Sequence, residues 1–431
     1  MTAQAVEARM LPYGVGSYSL RWLIVVLALL AVAGVGAYAY TFQLTEGEIV
    51  TGMRDVGTAG GAPWGLYITS VVYFAGVAFA GLALAALVRL LRLEFLRPLS
   101  RTAEVLSFVG AVLATLSIIV DVGEPLDAVV NLFLYSRPMS PFFGTFTLVI
   151  SGHLIASLVY LYLDARRDAF LCAVKGGGWA GFYRRLAGGY QETPEQRERH
   201  ERASFWLSLG VLTLLVTEYA TLAYVFGTQT GRPGWFSALQ APDFLVLAGA
   251  SGVGLITILA FVLRRVLNEQ EHVTLPVFIW LSNTMTLLVV VSLFFFLTQF
   301  LTMGYAGLSP EIRLIEALLQ GPYSLLFWLT SGLLVLCFAL GTAQALFRRY
   351  HLSLIVLCGV LVNLATMDRR YLSVVPSLTH GNLLPYPTGV YNPTWVEYTI
   401  ILGLLALGTL LYVLFMKVFP IMEVPESRRE G

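Results

Sequence analysis

Apolar runs of about 20 residues dominate the chain: 20–42, 64–88, 105–121, 141–163, 204–226, 243–263, 275–299, 323–346, 351–367 and 395–418. A helix rises about 1.5 Å per residue, so each of these ten can cross a hydrocarbon core roughly 30 Å thick. Hydrocarbon offers the backbone no hydrogen-bond partner, so a run of this kind must satisfy its own N–H and C=O groups as a helix. The expected fold class is an all-α polytopic membrane protein. Composition agrees, with 57% of the 431 residues hydrophobic and 12% charged, against roughly 25% charged in a soluble domain. A net charge of +1 without a long basic run argues against a nucleic-acid partner. Cys172, Cys337 and Cys358 are isolated, so neither an iron–sulfur cluster nor a structural zinc held by this chain is expected. The first 17 residues are polar and lack a signal-peptide pattern, so the first span is expected to stay as an anchor.

Positive charge sets the orientation, because basic loops stay in the cytoplasm. With the N-terminus inside, all but six of the 27 Lys and Arg fall on that side. The six are Arg54, Arg137, Arg232, Arg313, Arg369 and Arg370. Ten spans with both termini cytoplasmic satisfy this asymmetry, in a plasma (inner) membrane. The one long cytoplasmic loop, 164–203, contains "KGGGWAG", which lacks the Lys-Ser/Thr of a phosphate loop and reads as a flexible linker, with room for a short surface helix.

"WGLYITSVVYFAGVAFAGLALAALVRLLRLE" and "DFLVLAGASGVGLITILAFVLRRVLNE" form a weak internal repeat. Both carry small residues mid-span, which permit close helix approach, and both end in arginines before acid. Spans two to five then correspond to spans six to nine, as two four-helix bundles with two peripheral helices. The expected division is 1–63 with the first span, 64–226 as the first bundle, 227–367 as the second, and 368–431 as an outer loop, last span and tail.

Ionisable residues at membrane depth are costly and therefore candidates for function. Only 16 uncharged residues separate Glu104 from Asp121, about 24 Å of helix, so one or both acids must sit at or below the surface. Glu104 has Arg97 and Arg101 to satisfy it. Asp121 is either an exposed helix end or a group facing a polar crevice on the outer side. Glu218, deep in "LLVTEYATLAYVF", either exchanges protons or bonds a neighbouring helix. His153, in "LVISGHLIASL", is either a helix–helix hydrogen bond or a proton carrier. A bis-histidine haem is not expected, because the other four histidines fall in loops or at span ends. Gln299 and Asn363 are the neutral counterparts of Asp121 and Glu218 in the second bundle.

Three segments carry a resemblance. "DVGEPLDAVVNLFLYSRPMSP" is similar to the stretch after the third helix of the polysulfide reductase (NrfD-like) membrane-subunit family, which runs Asp-x-Gly-Arg-Pro and later Ser-Pro. "TGMRDVGTAGGAPWGLYI" and "DRRYLSVVPSLTHGNLLPYPTGVYNPTWVEY" resemble segments of its ten-helix branch, which includes hydrogenase and sulfite-reductase-complex subunits and alternative complex III. Glu124 stands where the family has Arg, and no acid follows Ser140-Pro141.

The resemblance implies a subunit that reacts with a quinone, menaquinone or similar, and holds no haem or metal of its own. It also implies a ferredoxin-like iron–sulfur partner at the outer face, with a molybdopterin or other redox subunit beyond. Asp121 takes the role of the family's motif aspartate, and Arg370 that of the arginine in its Arg-aromatic pair. Quinol oxidation releases two protons with two electrons, so the site needs proton acceptors. Asp121, Glu218 and His153 are the candidates. Tyr67, Thr69, Tyr73 and Tyr219 are candidates to orient the quinone oxygens, and Arg137 and Arg370 to dock the partner or balance Asp121. A secondary transporter, or a scaffold or proton-conducting subunit without redox chemistry, remains an alternative.

Overall fold

The computed structural model describes residues 14–57, 62–135, 146–175, 179–380 and 388–423. Among these residues thirteen α-helices follow one another: α1 (Leu20–Glu46), α2 (Leu66–Leu90), α3 (Ser100–Asp121), α4 (Pro125–Tyr135), α5 (Phe146–Lys175), α6 (Ala180–Ala187), α7 (Pro194–Gly227), α8 (Gln240–Val266), α9 (Leu275–Ala306), α10 (Ser309–Leu319), α11 (Ser324–Leu346), α12 (Leu352–Thr379) and α13 (Trp395–Val418). Among the described residues, nine helices are long and apolar enough to cross a membrane. The remaining expected span, 141–163, begins outside those residues and continues as α5. The chain is an all-α multi-pass membrane protein.

Helices α2, α3, α5 and α7 pack in one ring, and α8, α9, α11 and α12 in a second. The rings meet where α2 and α7 lie against α8 and where α2 touches α12, while α1 pairs with α13 at the periphery. Small residues permit these seams. A Cβ at Gly252 of α8 would collide with Ala80 Cβ of α2, and one at Gly359 of α12 would sit 2.8 Å from Gly254 O of α8. Most of α1 faces outward, with Leu20, Ile24, Leu27 and Tyr38 exposed, as lipid contact requires.

Two ends of the molecule differ. One carries paired arginines: half-buried Arg89 pairs with Asp164, and buried Arg101 has Nη1 2.8 Å from Asp168 Oδ2. Glu104 is fully buried there, 3.9 Å from Arg89 Nη2 and in hydrogen-bond reach of Ser100 Oγ at 3.4 Å. The expectation that Arg97 satisfies Glu104 is corrected, because Arg97 turns to Glu94 and Glu423, at 3.0 and 3.1 Å. We call this the basic end.

The opposite, acidic end is closed by two segments distant in sequence. Gly52 N–H donates to Glu397 Oε2 at 2.8 Å, Val390 N–H to Asp55 O at 2.8 Å, and Leu66 N–H to the Tyr391 hydroxyl at 2.6 Å. Glu397 also accepts from the Tyr391 hydroxyl and closes a capping box with Thr394 at the start of α13. Gly47, at φ 81°, ends α1 and turns the chain into this cover.

Several span boundaries moved: α5 runs on to Lys175 and α7 begins at Pro194, so that with α6 most of the expected linker 164–203 is helical, and α9 continues to Ala306. The ninth run was expected to end at residue 367, with Arg369 and Arg370 in an outer loop. Instead α12 continues to Thr379, and both arginines are buried. The physical reason is local satisfaction: Arg369 Nη2 lies 3.4 Å from Asp243 Oδ2, its guanidinium sits 3.6 Å from the centre of the Phe296 ring, and Arg370 Nη2 donates to Phe244 O at 3.0 Å.

Candidate functional site

Three polar clusters interrupt the apolar interior. At the acidic end, Pro125 opens α4 just past Asp121, the last residue of α3. Gln43, in the last turn of α1, is buried and spends its whole amide: Nε2 donates to Glu48 Oε1 at 2.8 Å and Val120 O at 3.0 Å, and Oε1 accepts from the Tyr67 hydroxyl at 2.7 Å. Tyr67 is fully buried. Asp121 sits beside this chain, with Oδ1 buried and without a hydrogen-bond partner. The carboxyls of Glu48 and Glu397 are the charges that face it. Glu48 lies outside the spans. Burial pushes its carboxyl above the usual carboxylate range; bonds from Gln43 and Thr51 pull it back, and the charge of Glu397 adds to the rise.

The second cluster is a buried relay within the first ring. His153 on α5 faces Glu218 on α7, with Nδ1 to Oε2 at 2.9 Å, and Ser107 on α3, with Nε2 to Oγ at 3.0 Å. The ring can donate from Nδ1 to the carboxylate while Nε2 accepts from the serine. It can equally accept from a protonated Glu218 while Nε2–H donates to Ser107. The second arrangement holds one proton more than the first. Ser107 and Asp121 are fourteen residues apart on α3, or about 21 Å along the axis, so Asp121 and the Glu218–His153 pair belong to different sites.

The third cluster seals the seam between the rings. Tyr219 donates to Val72 O at 3.0 Å and accepts from Arg370 Nη2 at 3.2 Å, while Tyr73 donates to Asn363 Oδ1 at 2.7 Å. Arg370 Nη1 is buried without a partner, and its guanidinium lies 4.1 Å from the centre of the Phe244 ring.

The candidates named from the sequence therefore separate. Asp121 and Tyr67 are brought together, as are Glu218 and His153. Tyr73, Tyr219 and Arg370 meet at the seam, where Arg370 is 2% exposed and contacts Tyr219 and Phe244, which removes it from the outer surface and corrects its expected role there. Thr69 donates within its own helix to Gly65 O at 2.9 Å. Arg137 lies outside the described residues. Of the neutral counterparts, Asn363 bonds Tyr73, and Gln299 donates to Gly234 O at 2.8 Å. Gln43, Glu48 and Ser107 were missed. The available signal was Gln43 at the end of an otherwise apolar run with Glu48 five residues on. Among the described residues, no group of three or more His, Cys, Asp or Glu is placed to hold a metal ion.

This fold, two rings of apolar helices enclosing a few ionisable groups, defines a multi-pass integral membrane protein. The family profile described as polysulphide reductase, NrfD, matches residues 55–380, and the chain belongs to that family. It is 32% identical over 240 residues to a protein of Halobacterium salinarum named as a membrane subunit of dimethyl sulfoxide reductase, a match covering 56% of this chain and 51% of that one. It is 22% identical over 415 residues to a selenate reductase subunit of Mesobacillus selenatarsenatis, covering 90% and 92% of the two chains. It is 24% identical over 432 residues to the Hdr-like menaquinol oxidoreductase integral membrane subunit of Archaeoglobus fulgidus, covering 96% of each.

Proposed function

We propose that this chain is the quinone- or quinol-reactive membrane subunit of a multi-subunit oxidoreductase, exchanging electrons with an iron–sulfur partner docked on its acidic end. A molybdopterin or other redox subunit lies beyond that partner. The acidic end faces out of the cytoplasm and the termini face in, in line with the distribution of Lys and Arg. The relatives' names support the class, since one is a menaquinol oxidoreductase subunit and two are subunits of reductases.

The observation that carries the reading is the buried, unpartnered Oδ1 of Asp121 beside the Tyr67–Gln43–Glu48 chain. An unmatched carboxyl oxygen in low dielectric is costly, and a quinol hydroxyl is a donor that would match it. Asp121 takes the hydroxyl proton as general base when quinol is oxidised and returns it when quinone is reduced. Tyr67, whose hydroxyl is held by Gln43, fixes the carrier ring by its position. The segments similar to the family's motifs converge here: Gly123 lies against Glu48, Gly52 binds Glu397, and Tyr391 binds Leu66.

The test is the purified complex carrying Asp121→Asn. Quinol-dependent reduction of the partner's iron–sulfur centres should fall by roughly 100-fold or more, while dye reduction at the soluble subunits stays unchanged. Normal quinol turnover in this variant would remove Asp121 from the reaction.

A further inference from the structure

We infer that the first ring of helices carries a proton path that opens at the basic end and stops at Glu218. Its mouth is a cleft of about 580 Å³ lined by Arg89, Arg92, Arg97, Ser100, Glu198 and Ser204, among others. Arg89 and Ser100 belong at once to the cleft and to the surroundings of the buried Glu104. Glu104 keeps Oε2 buried without a partner, so the group nearest the mouth has a free position for a proton or a water.

Above it the buried polar residues follow helical spacing on three facing helices. They are Ser100, Glu104 and Ser107 on α3, His153, Ser157, Tyr160 and Asp164 on α5, and Ser204, Ser208 and Glu218 on α7. Arg89 lies 5.8 Å from the centre of the Tyr160 ring, and the Tyr160 hydroxyl is 2.7 Å from Ser208 Oγ. Glu104 and Ser107 are one turn apart, and Ser107 meets His153, which meets Glu218. Polar side chains so placed are expensive in hydrocarbon. Past Glu218 the α7 face turns apolar, with Leu222, Val225 and Phe226 buried. The polar file therefore has one open end.

The transfer balances as a single proton. It enters on the Glu104 carboxylate and is handed one turn along α3 to Ser107. Ser107 gives its proton to His153 Nε2 and is reprotonated from below, while His153 Nδ1–H gives its proton to Glu218. Return of the imidazole to its first tautomer resets the file. The charged groups facing Glu104 are Arg89 from α2, Arg101 from its own helix, and Glu423 after α13. Glu218 is faced by His153, because its neighbour Tyr219 turns away to Arg370.

The path goes beyond quinone chemistry and can be tested without it. The purified complex is set in oriented vesicles with no electron donor, and the infrared carboxyl band lost in Glu218→Gln is followed after a pH jump on one side. The wild-type band should answer a jump at the basic end promptly and a jump at the acidic end slowly. Ser107→Ala, which drops the hydroxyl that meets His153, and Glu104→Gln should each slow the response by roughly tenfold or more and leave its final amplitude unchanged. Unaltered rates in both variants, or a band that follows the acidic side as fast as the basic one, would overturn the path and reduce these polar groups to helix–helix contacts. Asp121→Asn should leave the response intact, so loss of the quinone reading and loss of the path are separate results.

Discussion

Asp121 and Glu218 are both carboxyls in the first ring of helices, yet one has a partner and the other does not. Glu218 is committed to His153, whereas Asp121 leaves an oxygen open beside Tyr67. That difference was not legible in the sequence, where both were acids near or within apolar runs; it depends on α1 delivering Gln43 to the end of α3. Tyr67→Phe should cost about 1–3 kcal/mol, because the buried Gln43 Oε1 loses its donor, and the thermal midpoint of the purified complex measures it. Quinol turnover should fall as well, since the ring is no longer fixed. Glu48 supplies a pH effect. Its folded-state carboxyl holds a proton above the usual range, mainly through burial. Its contribution to stability is therefore complete at low pH and is lost as pH rises through the folded value. Glu48→Gln should flatten that part of the decline in melting temperature with rising pH, and an unchanged slope would refute the assignment.

At the scale of helices, the sequence located the spans closely and misjudged several of their ends, where α5 and α7 run on through charged residues beyond the apolar run, where α9 continues to Ala306, and where charge is buried in α12. The apolar run ending at 121 and the run 395–418 match α3 and α13 at those boundaries. The run ending at 367 did not match, because Arg369 and Arg370 look like loop residues in a hydropathy reading and become helical once Asp243, Phe244 and Phe296 accommodate them. Helices α4 and α10, eleven residues each, are too short to register as spans and too apolar to stand out as loops. The small residues of the repeat were legible, and they lie at the seam. Gly252→Val should therefore force α2 and α8 apart, with a cost of about 1–3 kcal/mol or more read as a lower melting temperature. The same exchange at Gly332, which has open space around it, should be tolerated much better.

For the molecule as a whole, the two rings are held together by few polar contacts, of which Tyr73 to Asn363 is one. Asn363→Leu should loosen the seam by about 1 kcal/mol and leave Asp121 and its neighbours in place, so melting temperature should drop while quinol turnover stays near normal. The proposed orientation has its own check. A cysteine introduced at Tyr305, exposed at the far end of α9, should be labelled by an impermeant reagent in intact cells, and one introduced at Arg348 should be labelled only after lysis. The reverse pattern would invert the molecule. The bonds that join residues 52–66 to residues 390–397 also bear on how the protein is made. The first of these segments leaves the ribosome more than three hundred residues before the second, so the cover of the acidic end cannot close until the final helix has inserted. A nascent chain stalled before that point would be membrane-bound and nearly full length, yet Gly52 and Leu66 would lack Glu397 and Tyr391 as partners, so the two ends of the chain complete this face together.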